Sequence, residues 1–195
     1  GGGAVIAVKL ARLINQPVHF ITALGRDFIG EQSAYKLKEL GLSLSVVWRE
    51  KPTRRAISFI DSRGERAITV VGERLHPTSK DDLPWDELKN NHGIFVTATD
   101  EKALHFCRQA KILAATPRLG LPTLKETKIE FDALIGSGLD SSELISEEDI
   151  RIKPKLRIST EGEMGGQAFP GGRYKAVKLN KPVIVHSRNA EEDTL

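Results

Sequence analysis

Four short stretches of this 195-residue chain combine residue types that could do chemistry. STEGEMGG, Ser159–Gly166, follows a strand-like run and ends in glycines. Backbone N–H groups can turn toward an anion there without interference from a Cβ, and ligands of open α/β sheets gather at the carboxyl ends of strands. Read plainly, it is a glycine-rich turn. DSSE, Asp140–Glu143, sets two carboxylates three residues apart; that spacing can hold Mg2+ through water, or Asp140 can cap a helix with Glu143 completing a capping box. GRDFIG, Gly25–Gly30, is either a ligand-binding bend or a glycine-flanked turn in which Asp27 satisfies backbone donors. GGG, Gly1–Gly3, sets the most permissive residues against a helix start. No G-x-x-x-x-G-K-[ST] run occurs, which excludes a Walker-type nucleotide loop. The single Cys107 reads as a packed small residue rather than a nucleophile. His19, His76, His92, His105 and His186 form no metal-ligand spacing with it, so a zinc site is not expected.

The elements that must position these stretches follow from hydrophobic periodicity. Ile6, Leu10, Leu13 and Ile14, at i, i+4, i+7 and i+8, predict an amphipathic helix with that face on a core and Lys9 and Arg12 opposite. PVHFITALG reads as a buried strand, RDFIG as a turn, and EQSAYKLKELG as a helix with Ala34, Leu37 and Leu40 inward and Gly41 as its stop. LSVVWRE, RRAISFID and RAITVVG are strand-like without intervening helices, and SRGE signals a hairpin between the last two. They predict a small sheet over residues 44–72, a lid or dimerisation surface, standing off an α/β domain made of 1–43 and 73–195. Strand and helix then alternate through GIFVTA, DEKALHFCRQA (Asp100 as N-cap), KILAATP, TLKETKIE, FDALIGS and KLRIST, with DSSELISEED as a short acidic helix or turn. QAF and RYKAV around PGG read as a closing hairpin. The fold class is α/β, a parallel sheet with helices on both faces.

Composition narrows the function classes. With 39% hydrophobic and 28% charged residues the chain is globular, and no apolar run reaches the length of a membrane helix. A net charge of +3 permits an anionic ligand, but acidic and basic residues interleave and no basic face carries stacking aromatics, so neither nucleic acid nor membrane is an expected partner. Cytoplasmic localisation is expected, since one cysteine fits a reducing compartment.

Taken in order along the chain, these stretches resemble the ribokinase-like (pfkB) carbohydrate kinases. GGGAVIA, with Gly1, Gly3 and Ala7, stands where that family has a G-G-x-x-x-N-x-A segment lining the sugar pocket; Val5 takes the asparagine's place. Gly25, Asp27 and Gly30 match a G-x-D-x-x-G turn. Pro52, Thr53 and the hairpin residues Asp61, Gly64, Glu65 and Arg66 look like the family's lid strands. ALIGSGLDSSE resembles the N-x-x-E element, with Asp140 for its asparagine, and STEGEMGG matches the T-x-G-x-x-G nucleotide turn.

The resemblance implies ATP-dependent transfer of the γ-phosphoryl group to a sugar hydroxyl, with ATP and Mg2+ as cofactors. It implies sugar contacts from Gly1, Gly3, Asp27, Gly30 and Arg66, nucleotide contacts from Thr160, Gly162, Gly165 and Asp140, and Mg2+ placement by Glu143. The sugar would lie between the main sheet and the lid, and the lid could also pair two copies as a homodimer. After KLNKPVIV the family presents D-T-x-G-A-G-D, whose last aspartate takes the sugar proton; this chain reads HSRNAEEDTL. No catalytic residue is therefore assigned, the expectation is a kinase lacking parts at both ends and inactive or impaired as it stands, and Asp193 reads as part of a solvated tail. The alternatives are a non-catalytic nucleotide- or sugar-binding regulatory module and an unrelated α/β domain with coincidental glycine turns.

Overall fold

The computed structural model describes residues 2–14, 16–62 and 66–177, which fall into two compact units, one up to Pro77 and one from Thr78 onward. Gly1, the hairpin residues Gly64 and Glu65, and the tail with Asp193 lie outside the described residues.

In the first unit α1 (Gly2–Ile14) precedes β1 (His19–Gly25), α2 (Phe28–Glu39) and β2 (Ser43–Arg49). β1 and β2 pair in parallel, from His19 with Ser43 to Gly25 with Arg49. α2 starts three residues earlier than its apolar pattern predicts, because the Asp27 carboxylate caps it by accepting the Gly30 N–H at 2.7 Å. It stops where expected. Gly41 adopts φ +88°, the Gly41 N–H donates to the Lys38 carbonyl and the Leu42 N–H to that of Leu37, which is the Schellman pattern. Leu42 thereby turns into a core with Ala7 and Val8, against which Ala11, Val18, Phe20, Leu37, Leu40 and Leu44 pack. Val8 is 1% exposed, and full burial of such a side chain contributes about 1.5–3 kcal/mol.

The predicted inward face of α1 is corrected here. Ile6, Leu10, Leu13 and Ile14 are 39–82% exposed, and the face that packs is Ala7, Val8 and Ala11. The helix is apolar around most of its circumference, and its small residues allow closer approach to the strands than the large ones would.

The run of strands from residue 44 also divides. β2 belongs to the β1–α2–β2 crossover, which requires parallel pairing. Only β3 (Arg55–Ile60) and β4 (Arg66–Val71) form the antiparallel hairpin. Its apolar residues Ile57, Phe59, Ile60, Ile68, Val70 and Val71 are 45–61% exposed, spread over both faces.

The second unit is a six-stranded sheet in chain order: β5 (Gly93–Val96), β6 (Ile112–Ala115), β7 (Ala133–Ser137), β8 (Leu156–Thr160), β9 (Gly166–Phe169) and β10 (Gly172–Tyr174). β5 to β8 run parallel, and β9 and β10 return as the expected closing hairpin. α3 (Glu101–Cys107), capped by Asp100 through the Ala103 N–H, links β5 to β6, and α4 (Leu121–Glu126) links β6 to β7. Leu104, Leu113, Leu124, Phe131 and Leu134 are fully buried. Cys107 is buried too, and that burial pushes its thiol up to about 11, as befits a packing residue.

At the amino-terminal edge of the parallel strands, Asp132 acts as a staple. Its carboxylate accepts from Lys155 Nζ at 2.7 Å, the Leu113 N–H at 2.8 Å and Arg108 Nη1 at 2.6 Å. Lys155 foremost, then the Leu113 amide and Arg108, hold its carboxyl well below the usual carboxylate range. Among the described residues no helix is long and apolar enough to cross a membrane.

Candidate functional site

In the second unit, β7 and β8 end side by side. Ser137 pairs with Thr160, and the Gly138 N–H donates to the Thr160 carbonyl at 2.8 Å. The loop after β7 and the turn after β8, two separate stretches in the sequence, thus share one carboxyl-terminal edge.

The loop after β7 is built around Glu143. Its side chain is only 8% exposed, and both carboxylate oxygens are engaged: one by Arg118 Nε, the other by the Ser137 N–H at 2.9 Å. Gly136 makes room, since a Cβ there would come within 2.8 Å of Pro117 and 3.0 Å of Glu143 Oε2. Asp140 accepts the Ser142 hydroxyl at 2.6 Å and the Ser142 N–H at 2.9 Å on one oxygen, and Arg118 Nη2 at 3.2 Å on the other. Those Ser142 bonds, then the Arg118 charge, lower its pKa. Asp140 and Glu143 therefore form no helix cap. A capping box occurs further on, where the Ser146 side chain accepts from the Asp149 backbone and the Asp149 carboxylate accepts the Ser146 N–H at 2.8 Å.

Mg2+ does not fit directly here. Glu143 has no oxygen without a donor, one guanidinium offsets one of the two carboxylate charges, and no three His, Cys, Asp or Glu side chains gather among the described residues.

The turn after β8 is more open. Thr160 is exposed, its hydroxyl making only a long 3.4 Å contact to the Gly136 carbonyl. Gly162 adopts φ +59°, and its nearest obstacle to a Cβ is Leu139 at 3.7 Å. Gly165 serves the fold instead: at φ +89° a Cβ would lie 2.0 Å from the Tyr174 carbonyl, so the return strand needs glycine there. The cavity behind this edge, lined by Gly136, Glu143, Leu144, Arg157 and Ser159 among others, holds about 70 Å3. Small-molecule sites usually offer about 300–1,000 Å3, so a nucleotide would lie across the edge rather than inside. Thr160 and Gly162 are both exposed on that edge.

In the first unit, the Gly25–Gly30 turn meets the chain leading into the hairpin. Asp27 Oδ2 accepts the Thr53 N–H at 2.7 Å, and Oδ1 accepts the Thr53 hydroxyl at 2.8 Å as well as the Gly30 N–H. The Gly25 N–H donates to the same hydroxyl at 2.9 Å. The Thr53 and Gly30 bonds depress the Asp27 carboxyl below its usual value. Gly3 sits half-buried in the first turn of α1, and Arg66 opens β4 opposite Ile60.

Arg118 and Ser137 carry weight that the motifs did not reveal. Arg118 stands 25 residues before Glu143 in sequence, and only the pairing of β6 with β7 brings such positions together.

A family model described as pfkB family carbohydrate kinase matches residues 1–145. Solved structures similar to the chain include a ribokinase from Thermotoga maritima at 16% identity and TM-score 0.63, covering 92% of this chain and 67% of that one. A sugar kinase from Pyrococcus horikoshii in complex with ATP is similar at 14% identity and TM-score 0.64, covering 92% and 68%. Arabidopsis thaliana ribokinase, complexed with ribose and ATP, is similar at 18% identity and TM-score 0.67, covering 93% and 68%. The likeness at these identities is one of fold, and the chain spans about two thirds of each, 67–68%. No curated protein sequence matches the chain.

Proposed function

This chain belongs to the pfkB family of carbohydrate kinases, and from that premise we propose that its chemistry is phosphoryl transfer from ATP to a sugar hydroxyl. ATP supplies the γ-phosphoryl group; the protein's part in such transfers is positioning and charge stabilisation. One observation carries the reading: the Ser137–Thr160 pairing joins the loop holding Asp140 to the turn holding Thr160 and Gly162 at the carboxyl edge of a parallel sheet. Edges of that kind collect ligands in open α/β sheets. We assign the nucleotide to Thr160, Gly162 and the Asp140 loop, with Gly165 shaping the turn, and no step to a metal on Glu143.

On the sugar side the assignment is Gly3, Gly30 and Arg66, with the β3–β4 hairpin as lid. A two-stranded hairpin is marginal alone, and one exposing apolar side chains on both faces fits pairing with the hairpin of a second copy. After KLNKPVIV this chain reads HSRNAEEDTL in place of the run whose last aspartate would take the hydroxyl proton, and lacking such a base costs typically about 10²–10⁴ in rate. Impaired turnover is therefore the expectation for this chain. Arg118 holding both carboxylates favours a second reading, a module that binds nucleotide or sugar without transferring phosphate.

ADP release with a panel of sugars, beside melting curves with ATP and with each sugar, tests both readings. A ligand at about 100 times its Kd adds about 2.7 kcal/mol of stability. ADP release above the background without sugar supports the kinase. A melting shift without turnover supports the binding module, and neither signal refutes both.

A further inference from the structure

We infer that the Gly25–Gly30 turn is a clasp fixing the entry arm of the β3–β4 hairpin, with Asp27 a positioning residue that acts through Thr53. The inference rests on the reading of that hairpin as the lid of a sugar site. Thr53 is 9% exposed, and its amide and hydroxyl are both committed to the turn. The bonds form a closed relay: the Gly25 N–H donates to the Thr53 hydroxyl, and that hydroxyl donates to Asp27. Three donors already occupy the Asp27 carboxylate, which has about four acceptor positions in all.

The two glycines are explained by the same contact. A Cβ at Gly25 would come within 2.4 Å of the Thr53 nitrogen and 2.7 Å of the Lys51 carbonyl oxygen; one at Gly30 would come within 2.1 Å of the Gly25 carbonyl oxygen and 2.8 Å of the Thr53 hydroxyl. Backbone meets backbone here, so the glycine spacing of the motif is the spacing of the clasp.

The hairpin's other arm is held differently. Gly72 adopts φ +94° beside Arg54, and the exposed pair Lys51–Glu73, 2.5 Å apart, ties the arms at the surface. The chain beyond the exit arm is tied as well, by Arg49 Nη2 donating to the His76 carbonyl at 2.9 Å, while the clasp holds the entry arm.

A cavity of about 480 Å3 opens beside this anchor, lined by Ile29 on one wall and by Arg54, Arg55, Ala56, Ile57 and Val71 on the other. Ile29 lies inside the turn, and Arg54 directly follows Thr53. The clasp therefore sets the spacing between the two walls. Asp27 contributes to a sugar site by holding its width, and its bonds to Thr53 are the means.

Amide hydrogen exchange on the unliganded chain tests this. Asp27→Asn keeps Oδ1 for the Gly30 N–H and the Thr53 hydroxyl but turns an NH2 toward the Thr53 N–H, donor against donor, so the helix cap survives while the clasp loses its amide bond and gains a repulsion. Exchange over residues 53–60 and 66–71 should rise about tenfold or more, while β1 and β2 keep their protection. Thr53→Val, of similar shape without the hydroxyl, should follow it; Thr53→Ser should match the unaltered chain. Unchanged hairpin exchange in Asp27→Asn overturns the inference, as does an equal rise in β1 and β2, or Thr53→Ser behaving as Thr53→Val. Should Asp27→Asn not fold, the two Thr53 variants decide. If the hairpin loosens selectively yet no sugar ever shifts the melting curve, the clasp stands and the sugar-site reading fails.

Discussion

Replacing Arg118 with methionine removes the guanidinium that holds Asp140 and Glu143 while keeping most of the side chain's bulk. Glu143 is the sensitive partner, because its side chain is 8% exposed whereas that of Arg118 is 50% exposed. Breaking a fully buried ion pair by removing one partner costs about 3–5 kcal/mol, and a hydrogen bond to a charged group about 1.5–3 kcal/mol. Solvent already reaches the arginine half of this pair, so water can replace part of what is lost. A destabilisation of about 2 kcal/mol is the reasoned value, toward the low end of those ranges. For a unit of about 100 residues that corresponds to about 10 °C in Tm, readable by urea unfolding or a melting curve. Adding Glu143→Gln to Arg118→Met should restore most of the loss. The neutral amide needs no counter-charge, and its oxygen can still accept the Ser137 N–H. A single variant within about 0.5 kcal/mol of the parent, the size of an ordinary surface change, would refute the reasoning. So would a double variant no more stable than the single one.

The Asp132 staple should appear as acid sensitivity. Its folded pKa is depressed, so its stabilisation is fully present above the unfolded value of about 3.9 and fades as pH falls through the lower folded value. Urea unfolding of Asp132→Asn should show a loss of about 3 kcal/mol at pH 7 and a flatter decline below pH 4 than the parent. Gly165→Ala forces a Cβ against the Tyr174 carbonyl at a φ of +89°; it should cost about 1–3 kcal/mol or more and raise amide exchange in β9 and β10 before β7, as hydrogen-exchange mass spectrometry would show.

Much of the fold was legible because local chemistry and topology agreed. Gly41 ended α2 where a left-handed residue could, Asp100 capped α3, and alternating strands and helices closed as a parallel sheet. Where two local solutions were equally good, the pattern was not enough. α1 offers one apolar stripe of large residues and another of small ones, and close approach to the strands selected Ala7, Val8 and Ala11. Asp27 and Glu143 were recognisable as motif residues, but their roles depend on Thr53 and Arg118, 26 and 25 residues away. Spacing within a motif carries no record of such partners. The plainer reading of GRDFIG, a turn whose aspartate satisfies backbone donors, describes the observed bonds, with Thr53 supplying a donor that sequence proximity did not suggest.

The kinase reading requires that the adjoining ends of β7 and β8 bind a nucleotide. Backbone amide chemical shifts followed during an ATP titration would decide it. Saturable changes centred on residues 137–143 and 160–165 are expected; no saturable change, or changes confined to other residues, would rule out a nucleotide at this edge.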